Sequence, residues 1–356
     1  MSPRAEQEHE RRGGEAGAHR LREPAPVLRV EDLDVAVPDG GRAVRGVSFT
    51  VSAGESVGLV GESGSGKSLT CRSVLGVLPP GCSVGGGRIA LDTSDADLTS
   101  YTRAQWDAVR GSVIGAVFQD PASYLNPSLT VGRQLTEQLR VRRGLPRAAA
   151  RSRAVELLAA VGLHRPHEVY ARYPHELSGG MLQRVLIATA VSCGPRLLVA
   201  DEATTALDVV VQAEITELFQ RLRAESGLAL LLVTHDLALV AENCDRVLVM
   251  YAGEIVEEGP TARVLAAPAH PYTEALLRVA SVGPGDRRDL AVIPGGPPRA
   301  GAELPGCRFA ERCAYAAPEC TAGPVALRTL DDGRTARCLR PVAARAAAHT
   351  PQGAIA

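Results

Sequence analysis

The chain has 356 residues, 45% of them apolar, and a formal net charge of −1. That length allows one large domain with an extension, or two domains, and the near-neutral balance makes no electrostatic case for nucleic acid. No stretch approaches the roughly 18–20 uninterrupted apolar residues of a membrane span. Residues 1–22 lack the apolar core of a secretory leader, so the chain is expected in the cytoplasm unless a partner holds it at a membrane.

Residues 1–26 are rich in Glu, Arg, Gly and Ala and are expected to form a disordered extension. Leu28, Val30, Leu33, Val35 and Val37 are then spaced as strand residues around an irregularity at Glu31-Asp32. Pro38-Asp39-Gly40-Gly41 is a turn, and Val44 to Val51 is a returning strand. The apolar run Val57-Gly58-Leu59-Val60 leads into Gly61-Glu62-Ser63-Gly64-Ser65-Gly66-Lys67-Ser68, which reads G-x-x-x-x-G-K-S. A helix from Leu69 to Leu78 is expected to follow and to stop at Pro79-Pro80. The glycines let the backbone curl so that successive N–H groups point at phosphate oxygens. The helix adds its positive N-terminal end, Lys67 reaches the β- and γ-phosphates, and Ser68 suits Mg²⁺.

Val113 to Phe118 is a further strand ending at Gln119, and residues 120 to about 185 read as mostly helical. The clearest helix is Arg151 to Val161, with Val155, Leu158 and Ala159 on one face and Gly162 as a stop. Arg140, Arg142, Arg143, Arg147, Arg151 and Arg153 form a basic run. It reads as a solvated helix face, with anionic lipid headgroups as the sharper alternative. Leu177-Ser178-Gly179-Gly180 opens a helix, which is an anion site in the right context and a plain cap otherwise. Arg196 to Ala200 is a strand capped by Asp201-Glu202. Asp201 is placed for Mg²⁺, usually through water, and Glu202 can polarise an attacking water. Leu228 to Thr234 is a strand ending at His235, and Val247–Tyr251 with Glu254–Val256 reads as a hairpin. Catalytic-looking side chains thus follow the C-terminal ends of apolar strands, where ligands bind in open parallel sheets. Beyond Ser281 a Gly- and Pro-dense stretch leads to Cys307, Cys313, Cys320 and Cys338, and the last residues are Ala-rich.

Leu177-Ser178-Gly179-Gly180-Met181 is similar to the signature of ATP-binding cassette (ABC) ATPases. Gln119 resembles their Q-loop glutamine, Thr204-Thr205-Ala206-Leu207-Asp208 their D-loop, and His235 their switch histidine. The segments from Phe118 to Pro127, Tyr173 to Gly180, Ala206 to Val209, Met250 to Glu257 and His270 to Leu277 resemble the oligopeptide/dipeptide/nickel importer ATPases. This resemblance covers residues 28 to about 340. It implies an α/β P-loop NTPase fold of the ABC type, with an antiparallel β subdomain, an inserted α-helical subdomain and a small Cys-containing extension. The implied boundaries are 27–282 for the nucleotide-binding domain (helical part about 120–185), 283–345 for the extension and 346–356 for a frayed tail.

The resemblance also implies function. ATP with Mg²⁺ would lie between Gly61–Leu69 of one subunit and Ser178, Gly179 and Gly180 of a second, with Asp208 communicating across the pair. Glu202 would be the general base, His235 would hold the γ-phosphate, and Gln119 would sense it and Mg²⁺. The partners implied are a second ABC ATPase (a copy of this chain or a relative), two membrane permease subunits and an extracytoplasmic substrate-binding protein, with no nucleic acid. The permease would contact the region around Tyr124-Leu125-Asn126-Pro127. The protein would then be a motor at the cytoplasmic face of the membrane, importing peptide, or alternatively nickel or another small solute. A non-transport cassette ATPase is the competing reading. Two departures stand out: the early strands carry Val35 and Val37 where the family has an adenine-stacking aromatic, and Ala203 replaces a usual Pro. The cysteines, spaced C-x5-C-x6-C-x17-C, suit a four-iron cluster or zinc, and similar cysteines in this family imply the cluster. Unliganded thiols in a loop-rich lobe are the plain alternative.

Overall fold

The computed structural model describes residues 26–92, 94–203, 208–281 and 292–342. The expectations for the N-terminal extension, the Ala-rich tail and D-loop residues 204–207 lie outside these.

Strand β1 (Pro26–Ala36) and strand β2 (Arg42–Ser52) form an antiparallel hairpin. The β1 pairing shifts between Val30 and Leu33, where Asp32 takes a φ of 46°. Ser48 closes that bulge: the Asp32 N–H donates to its Oγ at 2.8 Å, and Oγ donates back to Oδ1 at 3.0 Å. Strand β3 (Ser56–Val60) is buried throughout and feeds the phosphate loop, after which helix α1 runs from Lys67 to Leu75. It ends before the prolines because Gly76 adopts φ 62°, and its N–H caps the Arg72 and Ser73 carbonyls. Strand β4 (Ser83–Leu91) pairs with β1 despite Gly85-Gly86-Gly87, which hide it from any apolar pattern. Strand β5 (Ser94–Asp97) adds the edge, and helix α2 (Arg103–Val109) follows a Thr102–Gln105 capping box.

Strand β6 (Ile114–Phe118) opens the second half. Helices α3 (Val131–Arg143), α4 (Arg147–Ala160), α5 (Pro166–Ala171) and α6 (Gly179–Val191) form one layer. The buried face of α4 is Ala150, Ala154, Leu157 and Leu158, while Ala159, expected on that face, is exposed. Arg140 and Arg153 are exposed and pair with Glu137 and Glu156 on their own helices, as a solvated face would. Strand β7 (Leu197–Asp201), helix α7 (Val209–Ser226), strand β8 (Ala229–Val233), helix α8 (Leu237–Asn243), strand β9 (Arg246–Tyr251) and strand β10 (Glu254–Pro260) complete the sheet. Helices α9 (Thr261–Ala266) and α10 (Pro271–Ser281) follow. Among the described residues no helix is long and apolar enough to cross a membrane.

Two sheets result. One is antiparallel, in the order β2-β1-β4-β5. The other runs β10-β9-β3-β8-β7-β6, parallel from β9 to β6, and two short strands from the C-terminal region (Arg328–Thr329 and Thr335–Ala336) extend it beyond β10. The parallel strands are buried on both faces, and their two-residue period divides the core. Leu197, Val199, Leu231 and Val233 pack toward the antiparallel sheet, while Leu198, Ala200, Leu230 and Leu232 pack toward the helices. The register levels the strand ends: Phe118 lies opposite Asp201, Asp201 opposite Val233, and Val233 opposite Leu59.

A Cβ at Gly76 would sit 2.3 Å from the Trp106 ring, in a left-handed conformation that side chains disfavour. Gly76→Ala is therefore expected to destabilise the fold by about 1 kcal/mol or more, read as a lower urea midpoint at unchanged slope.

Candidate active site

The levelled strand ends put Gly61, Gln119, Glu202 and the Thr234-His235 step on one edge of the sheet. The loop from Gly61 is pressed against its neighbours. A Cβ at Gly61 would lie 2.1 Å from the Met250 carbonyl oxygen, and one at Gly66 would lie 3.0 Å from that of Ala43. Both glycines also have positive φ, 151° and 105°, so only glycine fits there. Lys67 is buried, and its Nζ donates to the carbonyls of Gly61 (2.7 Å) and Glu62 (2.9 Å). Burial lowers its pKa, and the nearby Glu202 and Asp201 carboxylates oppose that shift. Ser68 Oγ donates to Asp201 Oδ1 at 3.2 Å. Burial raises the Asp201 pKa, and the Ser68 hydrogen bond works against it. An all-oxygen pair of hydroxyl and carboxylate suits a hard cation such as Mg²⁺.

Glu202 turns the chain at the end of β7 with φ 49°, a conformation that costs a non-glycine residue about 1 kcal/mol or more. Its N–H donates to the Val233 carbonyl at 2.9 Å. Its carboxylate lies 3.7 Å from His235 Nδ1, and the histidine is 58% exposed. The next residue, Asp236, caps α8 by accepting from the N–H groups of Ala238 and Leu239, which fixes where His235 leaves the strand.

A cavity of about 770 Å³ is lined by Ser63, Gly64, Gly66, Lys67, Ser68, Leu69 and Glu202, with Val37, Ala43 and Ala300 as its apolar wall. Val37 thus stands at the cavity with no ring to offer. Gln119 and His235 lie on the same sheet edge but do not line this cavity. The Ser178, Gly179 and Gly180 group is also absent from the lining. Ser178 caps α6, accepting from the Met181 N–H at 3.4 Å, and Ser178 and Gly179 are exposed. Asp208 caps α7 and is likewise exposed. The chain therefore gathers phosphate-loop and carboxylate groups at one place and presents its signature helix end elsewhere, open to another molecule.

Sequence reasoning missed Ala300, which comes from the Gly- and Pro-rich stretch. That stretch is pinned to β2, where Arg45 donates to both Glu303 oxygens at 2.9 Å and to the Ala302 carbonyl at 3.0 Å. No local pattern announces so distant a pairing. Glu62 is also held from afar, by Arg312.

Cys307, Cys313, Cys320 and Cys338 all line one small cavity, beside Phe309, Tyr315 and Val325. None of the four is in a disulfide. Burial pushes the Cys307 thiol up to about 11, and the neighbouring thiols add to the shift. Among the described residues no three His, Cys, Asp or Glu side chains are arranged to hold a metal ion. That arrangement supports neither the zinc nor the four-iron expectation. Four thiols are the donor type of zinc and of iron–sulfur clusters alike.

Comparison with known proteins agrees with these features. A family model described as ABC transporter matches residues 44–205, and one described as the C-terminal region of oligopeptide/dipeptide transporters matches residues 256–320. The chain is 47% identical over 299 residues to the oligopeptide transport ATP-binding protein AppD of Bacillus subtilis, spanning 83% of this chain and 90% of that protein. It is 43% identical over 322 residues to the dipeptide transport ATP-binding protein DppD of Escherichia coli, spanning 89% and 97%. Its fold is similar to the dimeric post-hydrolysis structure of the ATP-binding cassette MJ0796 bound to ADP and Pi. The TM-score is 0.59 at 27% identity, over 66% of this chain and 98% of that one.

A ring restored at the cavity wall should add stacking on a bound base, worth about 1 kcal/mol or more. Val37→Phe is expected to tighten ATP binding about fivefold, as measured by equilibrium displacement of a fluorescent ATP analogue.

Proposed function

The chain belongs to the ABC transporter family, among the oligopeptide and dipeptide transport ATP-binding proteins, and from this we propose a division of labour at its site. The protein is the ATP-hydrolysing motor of a peptide importer. The observation that carries the mechanism is the meeting of Lys67, Ser68 and Glu202 at one cavity, with Asp201 bonded to Ser68. Lys67 and the loop N–H groups bind the β- and γ-phosphates. Ser68 and Gln119, with Asp201 behind, would hold Mg²⁺, which neutralises phosphate charge when bound. Glu202 takes the proton of the attacking water. His235, beside it, orients that water and holds the γ-phosphate.

The exposed Ser178–Gly180 helix end completes the site of a second cassette, either a copy of this chain or a relative, so ATP joins the two and hydrolysis parts them. Asp208, also exposed, caps α7, whose Val211 side chain lies against Gly180. Two permease subunits dock near Tyr124, which is 51% exposed and stacks on Phe118, the residue before Gln119, at 4.5 Å between ring centroids. A push on that surface therefore reaches Gln119 through one ring contact. The protein works at the cytoplasmic face of the membrane, held there by the permease, with an extracytoplasmic binding protein delivering peptide. The four cysteines would hold a four-iron cluster, with zinc as the alternative, in the C-terminal lobe.

Glu202→Gln is expected to lower kcat about a hundredfold or more while ATP binding persists and the closed pair accumulates. ATP hydrolysis and light scattering together check this, and undiminished turnover would remove Glu202 as the base. For the cysteines, protein purified without oxygen is expected to carry iron and broad visible absorption, both lost in Cys313→Ala. Colourless, iron-free protein would discard the cluster.

A further inference from the structure

Glu62 sets a carboxylate inside a loop built to receive a polyanion, and the structure answers that charge from the other end of the chain. Arg312 grips both carboxylate oxygens, with Nη1 at 2.7 Å from Oε2 and Nη2 at 3.0 Å from Oε1. This is the two-pronged geometry that only a guanidinium supplies. The Arg312 side chain is 5% exposed. Its remaining contacts fix it in place: Nε donates to the Pro294 carbonyl at 2.8 Å, Nη2 to that of Ile293 at 3.2 Å, and Nη1 to the Tyr251 hydroxyl at 3.3 Å. The Tyr251 and Phe309 rings flank the guanidinium at 5.7 and 5.9 Å.

The main chain of Glu62 is equally engaged. Its N–H donates to the Tyr272 hydroxyl at 2.8 Å, and its carbonyl accepts from Lys67 Nζ at 2.9 Å. Moving Glu62 therefore moves an acceptor of the lysine that must meet the phosphates. Arg312 also lies between Phe309 and Cys313, both of which line the cysteine cavity.

We propose that Arg312 is a positioning residue for nucleotide binding: it neutralises the Glu62 carboxylate and holds it out of the phosphate cradle, so that docking of the C-terminal segment and binding of ATP reinforce each other. Without the guanidinium, a carboxylate next to the cradle repels the triphosphate and drags on Lys67. Because linkage is reciprocal, ATP in turn steadies the lobe that carries Arg312. This inference rests on the phosphate-binding reading of Gly61–Ser68.

The test is a double-mutant cycle on the full-length chain, reading the dissociation constant of Mg–ATP by displacement of a fluorescent analogue, with thermal unfolding followed alongside. Arg312→Ala is expected to weaken ATP about tenfold, and in hydrolysis assays the loss should fall on KM rather than kcat. In a Glu62→Gln background, whatever its own affinity, the same arginine change should cost less than about twofold. A purely structural arginine would cost the same in both backgrounds, and that result overturns the proposal. So does unweakened binding by Arg312→Ala. Arg312→Lys keeps the charge but loses the grip, so it should weaken ATP about threefold. It takes the place of the alanine variant in the same cycle if that variant does not fold. Lys67→Ala separates the two levels: if it binds ATP like the parent chain, the reading of the loop itself fails, whereas the clamp fails alone if only the cycle is flat.

Discussion

Everything at this site depends on four parallel strands that stop at the same level. Main-chain hydrogen bonds set that level with little regard to side chains, and the pairings of Phe118 with Asp201, Asp201 with Val233 and Val233 with Leu59 enforce it. A shift of one residue in any pair would exchange the side chains that fill one core for those that fill the other. The apolar alternation that fills both cores therefore also fixes the site. Glu202 follows Asp201 only because β7 cannot slide, and the φ of 49° at Glu202 is held by a buried strand on each side.

The electrostatics follow from that burial. Lys67 and Asp201 are both withdrawn from water, and each is shifted toward its neutral form. They lean on neighbours instead: Lys67 on carbonyls of its own loop, and Asp201 on the hydroxyl of Ser68. Phosphate and metal would meet groups that hold only substitute partners, so binding exchanges weak contacts for charged ones with little rearrangement.

The legible part of this molecule was local. The glycine spacing, the apolar runs of β3, β7 and β8, and the bulge near Asp32 could all be read from adjacent residues, because steric limits and two-residue periodicity act over short spans. What stayed hidden was hidden for physical reasons. Strand β4 carries three glycines and buries only its last three residues, so no apolar alternation runs along it. Helix α1 yields to a left-handed Gly76 before its prolines can act. On α4, Ala154 and Leu157 rather than Ala159 face inward, and only the packed neighbours decide between such closely spaced phases. Ala300 at the cavity wall and Arg312 on Glu62 join positions far apart in the chain, and nothing in their immediate surroundings reports it.

The lobe that holds Arg312 is continuous with the sheet, since Thr335–Ala336 pairs with Glu257–Glu258 at its edge. This has a consequence for synthesis. A ribosome makes the phosphate loop early and its clamp late, so a growing chain has Glu62 unanswered until most of the protein has emerged. Chains that break off before Arg312 would carry every motif of a cassette and still be poor rivals for nucleotide.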